Sequence, residues 1–284
     1  MRWLERWCIV LNSSRSKYDS VPPMRSGNIT TLSVANTVAY ALMITINALA
    51  GSTALIGGQQ TSEVSNTNPT LVTPAGFTFA IWGLIYLLLG IFVAYQLVVR
   101  PRLRSSSGRI GWLFILSSAL NMLWLFAWQY ELLVASVIIM LLLLGSLIAI
   151  YLRLGVGREK VGFAERLAVH LPFSMYLGWI TVATVANISA ALVSIGWGGF
   201  GIAPELWAIA VLLLILAITV TIAFDRRDVA FGAVIVWALA GVAANQSDNP
   251  SIVAAAVISA VVVVAVFAVS LLRIRRGSPR TVRV

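Results

Sequence analysis

What most constrains this chain is a set of eight long apolar stretches with no Lys, Arg, Asp or Glu in their interiors. They run at about 33–53, 76–99, 110–128, 132–152, 167–194, 205–224, 229–245 and 251–272. About 20 mostly apolar residues cross a bilayer core as a helix. A charge at the centre of such a span costs about 2.5–3.5 kcal/mol on insertion scales, so uniform exclusion of charge is what spanning requires. The runs are continuous rather than alternating, which excludes barrel strands and leaves helices. The expectation is an all-α integral membrane protein with eight transmembrane helices, of which 229–245 is the shortest.

The charges confirm the reading by their placement. The chain carries 20 Lys and Arg against 10 Asp and Glu, a net charge of +10. In an eight-span arrangement all the basic residues fall on one side: Arg2 to Arg25, Arg100 to Arg109, Arg153 to Arg166, Arg226 with Arg227, and Arg273 to Arg283. The loops 54–75 and 195–204 hold none. This is the positive-inside pattern, which predicts a multi-pass protein with both termini on the cytoplasmic side; the expected location is the plasma (inner) membrane. It also removes the nucleic-acid reading, because the basic residues are spread over five segments and are not gathered with stacking aromatics. Their partners are expected to be anionic headgroups of the bilayer.

Composition excludes the remaining broad classes. Apolar residues make up 60% of the chain and charged ones 11%, with a mean hydropathy of +0.93, against about a quarter charged in soluble domains. Cys8 is the one cysteine and His170 the one histidine, so neither an intrachain disulfide nor a His/Cys metal site is expected. His170 reads as an interfacial residue near the cytoplasmic end of the fifth span. At the N-terminus, Trp3 and Trp7 read as headgroup anchors. Translation from Met1 or from Met24 is equally compatible with the sequence.

The spans supply no carboxylate pair and no phosphate-binding loop. The turn Asp225-Arg226-Arg227-Asp228 reads as a solvated charged turn. Leu147, Tyr151 and Arg153 form a weak sterol-type pattern, better read as an aromatic belt with a snorkelling arginine. What remains inside the spans is aromatic and amide. Phe79, Trp82 and Tyr86 follow i, i+3, i+7 spacing, as do Asn121, Trp124 and Trp128. Tyr176, Trp179, Ala183 and Asn187 continue one face of the fifth span. Three helices thus each carry an aromatic stripe, two of them with an amide. Such stripes suit a flat, largely apolar ligand held by stacking and a few donors.

At these residues the sequence resembles the tryptophan-rich sensory protein and translocator protein family (TspO/MBR). The second span has the family's proline-rich entry and then its Trp, Tyr and Gly, here Pro74, Trp82, Tyr86 and Gly90. The third carries Asn-x-x-Trp at Asn121 and Trp124. The fifth carries Trp179, Ala183, Thr184 and Asn187. The resemblance covers roughly 33–195 and implies a TspO-like five-helix bundle whose pocket is closed by the loop between spans one and two. Residues 1–32 then form a basic cytoplasmic arm, 196–272 three additional C-terminal helices, and 273–284 a basic cytoplasmic tail. The family's usual Trp six residues before Trp82 is replaced by Gly76, and Phe77 is the candidate to supply its bulk.

The resemblance implies a ligand-binding protein, a sensor or regulator of a porphyrin- or sterol-like aromatic molecule, rather than an enzyme. A carrier of a hydrophobic solute and a light-dependent tetrapyrrole-degrading enzyme are the alternatives. The expected ligand-binding residues are Phe79, Trp82, Tyr86, Asn121, Trp124, Trp179, Ala183 and Asn187, around one cavity among spans one, two, three and five that opens toward the external half. No catalytic residue, metal or resident cofactor is expected. A tetrapyrrole would be held by stacking and shape. Homodimerisation is left open.

Overall fold

The computed structural model describes residues 26–53, 55–58, 61–98 and 106–277. Among them run eight long helices: α1 (Ser26–Ser52), α2 (Ile81–Val98), α3 (Leu113–Gln129), α4 (Leu133–Leu154), α5 (Leu171–Ser194), α6 (Pro204–Asp225), α7 (Val229–Asn245) and α8 (Pro250–Gly277). Trp3, Trp7, Met24, Arg100 to Arg104 and the tail beyond Gly277 lie outside the described residues.

Six of these helices are long and apolar enough to cross a membrane, while α3 and α7 have 17 residues each. At 1.5 Å per residue that is about 25 Å, short of a core of about 30 Å. The reason α3 is shorter than the apolar run is local. Gly111 sits at φ 55° and separates a short helix, Ser106–Ile110, from α3, a conformation glycine adopts without steric penalty. For α7 the start is fixed by Asp228, whose carboxylate accepts the Phe231 amide at 3.2 Å as an N-cap. The 54–75 loop, which has no Lys or Arg, holds a further short helix, Thr61–Thr67, and α2 is entered through a 3-10 turn, Gly76–Ala80. A π turn, Arg166–His170, leads into α5.

The first five helices close a ring: α1 packs on α2 and α3, α3 on α4, α4 on α5, and α5 on α2. Outside it, α7 packs on α5 and on the 3-10 turn, and α8 packs on α6 and α7. The core runs without a break from Met43 to Ala256, so the last three helices are built onto the ring and not tethered beside it. Lipid tails are as apolar as leucine, so this association rests on close packing and polar contacts. Gly178 of α5 shows how. A methyl there would lie 3.2–3.3 Å from Val234 and the Phe231 carbonyl of α7. Gly90 of α2 similarly leaves room for Tyr40 of α1, whose hydroxyl donates to the Tyr86 carbonyl at 3.0 Å.

The two ends of the bundle differ in charge. Among the described residues, every Lys and Arg from Arg109 to Arg227 lies at one end, and the far end carries Glu63, Glu131, Glu205 and Asp248. At the basic end Arg109 pairs with Glu159 at 2.5 Å, and Arg158 pairs with Asp225. Such exposed pairs contribute about 0–1 kcal/mol each.

Three expectations fail at this basic end. The 225–228 turn is not simply solvated, since Arg226 and Asp228 are both buried. Asp228 accepts from the Tyr151 hydroxyl at 2.9 Å and from Ser174 Oγ at 2.5–2.6 Å, while Arg226 lies over the Tyr151 ring. Tyr151 is therefore an internal residue of α4 and not part of an aromatic belt. His170 is also buried, because the π turn rotates it inward against the core rather than toward the interface. The buried carboxylate is accommodated because its oxygens have donors.

Candidate functional site

Trp82 is the hub of the site. Its ring stacks on Tyr86 at 5.4 Å and on Trp124 at 6.1 Å, and meets Tyr176 and Trp179 edge-on at 6.0 and 6.1 Å. Phe79 meets Trp179 edge-on at 5.9 Å, and Trp124 stacks on Trp128 at 5.9 Å. The stripes of α2, α3 and α5 thus converge, because each repeats at the helical period and each helix turns that face inward.

Between these rings lies a crevice toward the far end of the bundle. Phe79, Trp82, Trp124, Trp179, Ala183 and Asn187 line it, six of the eight expected residues. Trp128, Val182, Ala186 and, from the loop after α1, Ser65 and Pro74 complete the wall. The lining draws on α2, α3, α5 and that loop, with no residue from α1. Tyr86 and Asn121 stand one layer deeper. Phe77 does not replace the missing tryptophan at the rim. It is exposed and packs edge-on against Trp237 of α7 at 5.5 Å, because the 3-10 turn directs it outward.

Polar contacts fix the walls. The Trp124 indole donates to Asn187 Oδ1 at 2.9 Å, and the Asn187 amide donates to Ser136 Oγ at 2.8 Å. Trp128 donates to the Thr61 carbonyl at 3.0 Å, which anchors the short helix over the crevice. Below the rings a chain of side chains crosses the bundle. Tyr86 donates to Asn47 Oδ1 at 2.5 Å, Asn47 to Asn121 Oδ1 at 2.7 Å, and Asn121 to the Tyr176 hydroxyl at 3.1 Å. Asn47 escaped the sequence reading, although it shares one face of α1 with Asn36, Tyr40 and Met43.

Among the described residues lining the crevice, one buried donor is left over. Trp179 is 2% exposed, and its indole nitrogen has no hydrogen-bond partner. A buried unmade hydrogen bond costs about 1–3 kcal/mol, and this one belongs to a residue of the crevice wall. The free space is small. The centre of a water-sized sphere can range over about 30 Å3 of it, room for a water or two. A flat polycyclic ligand enters only if a wall parts.

No curated protein and no solved structure gives a match to this chain. A family model described as TSPO-like protein matches residues 33–269. The match runs past the fifth helix and takes in nearly all of the three that follow, well beyond the 33–195 stretch that carries the motifs. The motif residues that converge on Trp82 and the extent of this match together place the protein: it belongs to the TSPO-like family of membrane proteins.

Proposed function

We propose that this protein binds a flat, hydrophobic aromatic small molecule of porphyrin or sterol type in the Trp82–Trp124–Trp179 crevice and acts as a sensor or regulator. The observation that carries the reading is the buried, unpartnered indole N–H of Trp179, a residue of a crevice wall rich in aromatic rings. Aromatic rings supply stacking area and that N–H supplies one directional contact, which is the usual composition of a small-molecule site. Ala183 and Ala186 keep the α5 side of the crevice shallow. Phe79, Trp82, Trp124, Trp179, Ala183 and Asn187 make direct contact in this reading. Tyr86 and Asn121 support them from below.

The same proposal includes an eight-span topology in the plasma membrane, with both termini cytoplasmic and the crevice toward the outside. The one-sided arginines support it, and α3 and α7 lie packed among longer helices, with local thinning of the bilayer as the ordinary accommodation of a short span. It retains the division into a cytoplasmic arm, a five-helix ligand-binding ring, three added helices and a basic tail. Titration of the purified protein with protoporphyrin IX, cholesterol and aromatic drug-like compounds, read by tryptophan quenching, tests the binding. Saturable quenching, weakened in Trp179→Ala, is the expected result. Absence of saturable quenching by every compound would overturn the reading.

A further inference from the structure

The rim of the crevice is the irregular segment from Thr70 to Phe79, which supplies Pro74 and Phe79 to the wall. It makes turn bonds of its own, from the Thr73 amide to the Thr70 carbonyl at 3.3 Å and from the Thr78 amide to the Ala75 carbonyl at 2.9 Å. α7 and the residue after it add further bonds. The Trp237 indole donates to the Thr78 carbonyl at 3.0 Å, the Asn245 amide to the Thr73 carbonyl at 3.1 Å, and the Gln246 amide to the Thr70 carbonyl at 3.3 Å. The rim returns one bond, from the Ala75 amide to the Gly241 carbonyl at 2.9 Å. Gly241 also permits the approach, since a methyl there would overlap Thr78 and press on Pro74. Four bonds over nine residues hold the rim to a helix outside the five-helix ring.

We infer that Trp237, Asn245 and Gln246 are positioning residues for the crevice, and that α7 is the clamp whose release lets a ligand in and out. The inference rests on the binding reading above. The crevice as it stands has room for a water or two. Its walls are three packed helices, the short helix Thr61–Thr67 through Ser65, and this rim, whose backbone is held largely by contacts that three side chains make. Opening between α2, α3 and α5 means separating helix faces with interlocked aromatic rings, whereas opening here means exchanging a few hydrogen bonds and the edge-on contact of Phe79 with Trp179. The added helices are thereby given work in the binding cycle. An opening that must occur in both the free and the bound protein governs entry and exit alike.

The test uses the full-length protein in detergent micelles or nanodiscs, with protoporphyrin IX as the probe. Trp237→Phe keeps the ring against Phe77 and removes the donor, and Asn245→Leu is nearly isosteric. Hydrogen exchange reports the rim without any ligand. Peptides covering 70–79 should exchange about tenfold faster in the double variant, the scale of losing one or two net hydrogen bonds, with the helices of the ring unchanged. Stopped-flow quenching should show association and dissociation rates both rising several-fold, with the dissociation constant changed less than about threefold, because both directions pass through the same opening. A residue serving only the fold would alter exchange throughout the bundle. Unchanged rim exchange overturns the clamp. Faster rim exchange with unchanged porphyrin rates overturns the gating role. If protoporphyrin IX does not bind the wild-type protein, the binding reading fails for porphyrins, and the exchange result alone decides whether α7 holds the rim.

Discussion

The indole N–H of Trp124 is held by Asn187 at 2.9 Å, while Trp179, eight residues before Asn187 on the same face of α5, leaves its own indole N–H without a partner. One indole N–H is held by the protein, and the other is left without a partner. Geometry thus divides two rings that the sequence presents as equivalent into a structural wall and a proposed binding wall.

The fixed wall is testable by its coupling. Asn187→Leu should strand the Trp124 N–H, remove the donor to Ser136 Oγ, and lower thermal stability. Interhelical polar contacts in membranes are worth about 0.6 kcal/mol on average and at most about 1.7. A double-mutant cycle with Trp124→Phe should show a coupling within that range. Additive effects would mean that the hydrogen bond contributes nothing. Asn121→Leu should behave similarly through Asn47 and Tyr176.

The binding wall separates stacking from hydrogen bonding. Trp179→Phe keeps an aromatic face and should weaken an acceptor-bearing ligand by about 0.5–1.5 kcal/mol, the net value of one hydrogen bond. Trp179→Ala should cost about 1–3 kcal/mol, the scale of one large buried side chain. Ala183→Phe should fill the crevice and abolish binding while the protein remains monodisperse by size exclusion. Quenching titrations of the three variants rank these effects.

The parts of the fold legible in sequence were those written at short range. Stripes at i, i+3, i+7 are read from one helix at a time, so Trp82, Trp124 and Trp179 could be placed on inward faces before their meeting was seen. The α7 clamp could not be read that way, because Trp237, Asn245 and Gln246 bond to carbonyls 159 to 176 residues earlier in the chain. Side-chain identity says nothing about an irregular backbone that far away. Phe77 misled for a related reason. Adjacency in sequence to Gly76 says little about direction once the chain enters a 3-10 turn. The burial of Asp228 was hidden in a run of four charged residues, where solvation is the ordinary outcome, and its partners Tyr151 and Ser174 lie 77 and 54 residues away.

Orientation is checked by reporter fusions. With the basic end cytoplasmic, fusions at residues 160 and 280 should report inside and one at residue 200 outside. A fusion at residue 280 that reports outside would remove the eight-span arrangement. The 17-residue helices α3 and α7 make this decisive, since a failure of one of them to cross would invert every loop that follows it.

The last expectation concerns the buried carboxylate at the basic end. Asp228 caps α7 through the Phe231 amide and accepts from Tyr151 of α4 and Ser174 of α5, so one side chain joins three helices. Asp228→Ala removes the acceptor for all three donors at once, and hydrogen bonds to a charged group are worth about 1.5–3 kcal/mol each. It should therefore destabilise the protein more than any other single change considered, by about 3–5 kcal/mol, the scale of breaking a buried charged contact. Asp228→Asn keeps one acceptor oxygen and should cost less. Tyr151→Phe should cost about 1 kcal/mol, because Ser174 and the Phe231 amide continue to satisfy the carboxylate. Thermal denaturation in detergent, monitored by circular dichroism, should give the order Ala, Asn, then Tyr151→Phe. Equal melting temperatures for Asp228→Ala and wild type would show that the turn is as solvated as its four charges first suggest.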